Sequence, residues 1–241
     1  MNPSLSNITS TSAIPVPNAH NDHNSTISTA CTEYFDPLTS SPTPRYIVPH
    51  GVTPQNRNCT YMKENILPSA QGTAIVIGKG SPESPFSCGE LIWRERATYG
   101  IYSVDMISSN IRGHVTGFFL IANGISEIDV ELTGLDAKVG YLNIWKGSKQ
   151  NPVKVPLGFD ASEGWHRYAI EWREDLVAWY IDGQMVLKRS DIETADPEKT
   201  TYKLVLNSWT HNVEDRWAGK FVWPSNVDIV QSQFRNLMYT P

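Results

Sequence analysis

The segment GISEIDVELTG, residues 124–134, carries carboxylates at Glu127, Asp129 and Glu131 and aliphatic side chains at Ile128, Val130 and Leu132. Successive side chains of a strand point to opposite faces, so the three acids share one face and the three aliphatics the other. Asp and Glu are poor strand formers, and like charges beside each other on one sheet face repel. A solvated sheet face and a metal site are both compatible with this pattern. The chemistry that needs two carboxylates is hydrolysis of a glycosidic bond, in which one acts as nucleophile or base and the other donates a proton to the leaving oxygen. Repulsion then helps, because ionising one carboxyl raises the pKa of its neighbour and keeps that one protonated. Glu127 and Glu131 stand about 13 Å apart along an extended strand. Retention of configuration uses carboxyls about 5–5.5 Å apart and inversion roughly 6.5–9.5 Å, so chain spacing leaves both outcomes open.

Such a strand needs a sheet to hold it. Runs rich in β-branched and aromatic residues recur at 73–78, 99–107, 115–122, 141–145, 165–172, 176–188, 202–209 and 233–239, separated by turn signals. Within LVAWYIDGQMVLK (176–188), Asp182-Gly183 supplies the positive φ angles of a tight hairpin between two apolar arms. No long segment keeps a helical apolar period, although SDIETADPEK (190–199) suits a short turn of helix. Many strands and few helices predict an all-β sandwich or jelly roll, which buries two sheets face to face.

Composition narrows the classes further. At 241 residues the chain is long enough for one sizeable core, and its net charge of -5 offers no basic field for nucleic acid. The longest apolar run, residues 118–122, is too short to span a bilayer. Eight Trp and ten Tyr serve cores and also make flat platforms for sugar rings. Residues 1–30 hold no Lys, Arg, Glu or aromatic side chain and are rich in Ser, Thr, Asn and Pro, which predicts a disordered arm. The boundary is placed at about residue 35, with one domain over 36–241. No signal peptide is visible at the N-terminus, yet Asn7, Asn24 and Asn58 each open an Asn-x-Ser/Thr sequon. Cys31, Cys59 and Cys88 permit one disulfide with one thiol left over.

With these residues in view, the chain resembles glycoside hydrolase family 16, particularly the lichenase-type endo-β-1,3-1,4-glucanases. Glu-Ile-Asp-Val-Glu resembles the family's catalytic motif, and LGFDASEGWHRYAIEW, WYIDG and LNSWTHNVEDRWAGKF resemble its second half. NCTY and SCGE resemble the two segments these enzymes join by a disulfide, which pairs Cys59 with Cys88 and leaves Cys31 free or paired elsewhere. The resemblance covers residues 57–240 and implies a concanavalin A-like β-jelly roll of two curved antiparallel sheets with a cleft on the concave face. It further implies a retaining double displacement without a cofactor, with Glu127 as nucleophile, Glu131 as general acid/base and Asp129 orienting Glu127. Glu90, Asn143, Trp145, Asn207, Trp209 and Trp217 match substrate-contacting positions. The expected partner is a β-glucan polysaccharide met outside the cell or in the cell wall, and a monomer is expected.

Departures from the family pattern are as informative. Relatives usually carry Trp-Asp or a similar pair before the first Glu, where this chain has Ile125 and Ser126. Ile125 shares the carboxylate face, so a sugar-stacking platform is missing there. The arginine usual two residues after the Glu90 position is Ile92 here, with Arg94 and Arg96 as substitutes. Many relatives bind a structural calcium through a carboxylate in the last strand; QSQFRNLMY (231–239) has none, so no metal is expected.

Other candidates read more simply. Trp165, Tyr168, Trp172, Trp179 and Tyr180 bracket a hairpin and read as core or sheet-face packing. His20 and His23 form an H-x-x-H in an unscaffolded arm, which is no metal site. His166 and His211 are isolated and read as structural or surface residues. The resemblance thus implies a secreted retaining endo-β-glucanase cleaving β-1,3- or β-1,3-1,4-glucan. The alternatives are a cell-wall transglycosylase, in which a sugar hydroxyl replaces water, and a lectin-like sandwich that keeps the cleft without catalysis.

Overall fold

A computed structural model describes residues 33–241 apart from 42–43, 55–56, 83, 123–125 and 191–193. The N-terminal arm, His20, His23, Cys31, Asn7, Asn24 and Ile125 therefore lie outside the described residues. In chain order the strands are β1 (Tyr34–Asp36), β2 (Tyr46–Ile47), β3 (Cys59–Tyr61), β4 (Ile66–Ser69), β5 (Gly72–Lys79), β6 (Phe86–Trp93), β7 (Gly100–Ile107), β8 (His114–Ala122) and β9 (Ser126–Thr133). They continue as β10 (Val139–Lys146), β11 (Lys149–Gln150), β12 (Val153–Pro156), β13 (His166–Arg173), β14 (Leu176–Ile181), β15 (Gln184–Arg189), β16 (Lys203–Thr210) and β17 (Val230–Thr240).

One sheet runs β12-β10-β9-β8-β16-β6-β2, each neighbouring pair antiparallel. The second runs β4-β5-β17-β7-β13-β14-β15, also antiparallel, with β1 on the far end of β17. Strands β5 and β6 pair at Gly78–Ser87 and Lys79–Phe86 and join the two sheets at one edge. The predicted all-β jelly roll is what forms, and alternation explains it. Ile128, Val130 and Leu132 of β9 pack with Phe118 and Leu120 of β8 against Tyr168, Trp172 and Trp179 of the facing sheet. Trp179 also donates its indole N–H to the Asp129 carbonyl at 3.0 Å, tying the carboxylate strand to the core from behind.

The aromatic cluster divides as its environment dictates. Tyr168, Trp172 and Trp179 are fully buried core residues, whereas Trp165 carries the Arg235 guanidinium 4.3 Å above its ring. Tyr180 donates its hydroxyl to Glu171. The hairpin turn falls at Asp182-Gly183 with φ of 48° and 78°, and β14 and β15 pair across it. Asp182 also caps the turn: its two oxygens accept from the Arg167 backbone N–H and pair with His166. Among the described part of 190–199 the helical expectation shrinks to one hydrogen-bonded turn, with the N–H groups of Lys199 and Thr200 both donating to the Asp196 carbonyl.

Candidate active site

Sheet register assembles the site. Gly117 of β8 and Tyr141 of β10 flank Glu131; on the far side of β8, Asn207 of β16 faces Gly117 and Glu90 of β6 faces Asn207. Thus Tyr141, Glu131, Gly117, Asn207 and Glu90 make one row across five strands, on the face away from the core. The next row is Asn143, Asp129, Phe119, Val205 and Ile92, and Trp145 lies beside Glu127 in a third. A sheet face turned to bulk water would leave such acids exposed. Asp129 is instead only 2% exposed, and Glu127 and Glu131 are half-buried, so the row floors a recess.

That burial sets the electrostatics. All three carboxyls are raised above the ordinary carboxylate range, in each case chiefly by loss of solvent. Glu131 is pushed up to about 7, with the Glu127 charge adding to burial and the Arg57 guanidinium opposing it. Asp129 is held well above its usual value by burial and by Glu127 and Glu131 on either side. Those surroundings favour its neutral form, and it hydrogen-bonds Glu127 and the Trp145 indole. At Glu127 the bond from Asp129 and the charge of Arg57 oppose the rise that burial and Glu90 cause. One strand face thus presents two carboxyls raised by burial, Glu131 up to about 7 and Glu127 with partners that oppose its rise.

The remaining expected contacts separate into cleft floor and wall. Asn207 donates to Glu90 Oε2 at 3.1 Å and to the Tyr61 hydroxyl at 3.4 Å, while Asn143 accepts from the Asn151 backbone N–H. Gly117 makes room for the Asn207 amide, since a Cβ there would stand 2.5 Å from its Oδ1. Trp217 is half-buried in the 211–219 loop, with its ring edge-on to Tyr141. Asp215 pins that loop by accepting from the N–H groups of Trp217, Ala218 and Gly219, which hold its carboxyl down to about 2 despite burial. Trp209 is only 6% exposed, and one face of its ring is covered by Arg57 at 4.1 Å.

Three features escaped the sequence reading. Tyr141 was legible by period, since it alternates with Asn143 and Trp145. Arg57 and Tyr61 carried no such signal, because their place in the recess depends on where β3 docks beside β6. The substitution of Arg94 or Arg96 for the family arginine does not occur: β6 ends at Trp93, and both lie exposed in the following turn. The guanidinium interacting with Glu90 belongs to Arg57. His211, read as isolated, donates from Nε2 to the Asp215 carboxylate at 2.8 Å and meets Trp217 edge-on. Ser126 is buried on the core-facing side of β9.

Cys59 and Cys88 form a disulfide between β3 and β6. Beside it, the Asn58 side chain of the third sequon accepts from Thr210 at 2.6 Å. Among the described residues no three His, Cys, Asp or Glu side chains gather into a metal-holding group, and no helix is long and apolar enough to cross a membrane.

Residues 53–225 match the glycosyl hydrolases of family 16. A β-glucanase of Paenibacillus macerans is 33% identical over 170 residues, 68% of this chain and 70% of the relative. Among solved structures, the Bacillus licheniformis β-glucanase superposes with a TM-score of 0.77 at 26% identity, over 89% of this chain and 100% of the other. A β-1,3-1,4-glucanase (lichenase) from a mouse hindgut metagenome does so with 0.79 at 25% identity, over 88% and 100%. The chain belongs to glycosyl hydrolase family 16.

Proposed function

We propose that the protein is a secreted endo-β-glucanase that cleaves β-1,3- or β-1,3-1,4-glucan with retention of configuration. The observation that carries this reading is the pair of carboxyls on one face of β9: Glu131 is raised to about 7, while at Glu127, also raised by burial, Asp129 and Arg57 oppose the rise. In the first step a Glu127 oxygen attacks the anomeric carbon while Glu131 gives its proton to the departing glycosidic oxygen. Glu131, now ionised, takes a proton from water, whose oxygen attacks the same carbon and releases Glu127. Asp129 positions Glu127 and limits its charge. Asn207 and Glu90, linked to each other, supply a donor and an acceptor for sugar hydroxyls, and Tyr141 and Trp217 offer aromatic surface beside Glu131. Secretion is supported by the Cys59–Cys88 disulfide, a bond that persists in oxidising compartments.

Reducing-end release and product anomers on lichenan, laminarin, galactan and carrageenan, run side by side, test the reading. Chain shortening of a β-glucan with first-formed β-anomers is expected. Elongated labelled acceptor chains would instead identify a transglycosylase, and saturable binding without release would make it a lectin-like sandwich.

A further inference from the structure

Arg57 brings a cation to the recess. It enters from the segment before β3, hydrogen-bonds the Tyr61 hydroxyl, and lies over the rings of Trp209 at 4.1 Å and Tyr61 at 5.7 Å. Its backbone pairs with that of His211. A guanidinium so desolvated needs compensating charge, and the groups it interacts with are Glu90 of β6, then Glu131 and Glu127 of β9. Asp129 lies between those two glutamates on the strand, and His211 is paired off with Asp215. Exposed Arg94 and Arg96 supply nothing here.

We propose that Arg57 is a positioning residue for the reaction: fixed on the Trp209 ring and the Tyr61 hydroxyl, its guanidinium is the countercharge that orders Glu90, Glu127 and Glu131. The proposal rests on the roles given to Glu127 and Glu131 above. It also accounts for Trp209 packing as a platform for Arg57, which leaves Trp217 and Tyr141 as the aromatic surface for sugar.

The test compares pH profiles of kcat/KM on whichever glucan the protein cleaves, for wild type, Arg57→Met, Arg57→Gln and Arg57→Lys, with thermal unfolding to establish folding. Removing a positive charge raises nearby carboxyl pKa values, so both limbs should move to higher pH by about 0.5–1 unit in the neutral variants. The same variants should lose about tenfold in kcat/KM at pH 6. Arg57→Lys should restore both limbs, as a merely structural role would not require. A folded neutral variant with wild-type limbs, or limbs that Lys fails to restore, overturns the proposal. Should both neutral variants fail to fold, Tyr61→Phe releases the guanidinium from its tether, and an unchanged kcat/KM in that variant overturns it. If wild type cleaves no glucan, the functional reading fails separately. The role of Arg57 is then read from carbon-13 carboxyl titration of Glu131, assigned with Glu131→Gln, where the same upward shift in Arg57→Met is expected and none overturns it.

Discussion

Two buried aspartates, one on each sheet, sit in the same kind of place and face opposite surroundings. Asp105 of β7 lies on the face of its sheet away from the core, with Arg167 and Arg235 as its cross-strand neighbours. It accepts from Arg167 at 2.7 Å, from Arg235 at 3.3 Å and from Asn236 at 2.8 Å. Asn236 reaches it because β17 breaks register there and Asn236 takes φ of 53°, a left-handed conformation that asparagine tolerates. Asp129 occupies the equivalent face of the other sheet, but its same-strand neighbours are Glu127 and Glu131. A buried carboxylate matched by cations is a structural tie; one placed between like charges is pushed toward its neutral form, a condition that favours proton chemistry. The contrast separates a carboxylate tied to cations from one set among like charges.

The sharpest way to break that contrast is at Glu131. Glu131→Gln and Glu127→Gln should each lower kcat by about 10³-fold or more with the thermal transition retained; near-normal turnover in either would remove the division of labour. The pH profile comes next. Activity should fall about tenfold per pH unit above roughly 7, as Glu131 loses the proton it must donate. The two aspartates should then trade effects. Asp105→Asn should lower stability by about 1–3 kcal/mol, a buried-pair figure reduced because Arg167 and Arg235 are 35% and 36% exposed, and leave kcat/KM near wild type.

Asp129→Asn should lower kcat/KM about tenfold, since an amide still donates to Glu127. It should not lower stability. Because the folded-state pKa of Asp129 is raised, wild-type stability falls as pH climbs through that pKa, and the Asn variant lacks this loss. Parallel denaturant melts and kinetics of both variants check the exchange; a stability loss at Asp129 matching that at Asp105 would erase the distinction. The smallest expected effect is at Gly117. A methyl group 2.5 Å from Asn207 Oδ1 should shift the amide and its bond to Glu90, lowering kcat/KM about fivefold to tenfold with little change in melting temperature.

Much of the fold and the centre of the site could be read from the chain because both rest on local period. Alternation placed Ile128 and Val130 inward and Glu127, Asp129 and Glu131 outward, and Asp182-Gly183 marked its hairpin. Short or weakly patterned strands such as β4, β11 and β12 did not stand out, because their residues are mostly exposed and carry little alternation. Arg94 and Arg96 are near Glu90 in sequence and suit the role of the family arginine, but β6 ends at Trp93 and both are exposed beyond it.

The sequence by itself determined which side chains share a face and which residue types stand two apart, since these follow from backbone geometry within one strand. Tertiary structure alone decided how deeply that face is covered, and therefore how far Glu131 is raised. It also brought Arg57 from the segment before β3 to three acids on β6 and β9. Desolvation and charge proximity depend on distances through space, and residues 57 and 131 become neighbours only when the sheet closes.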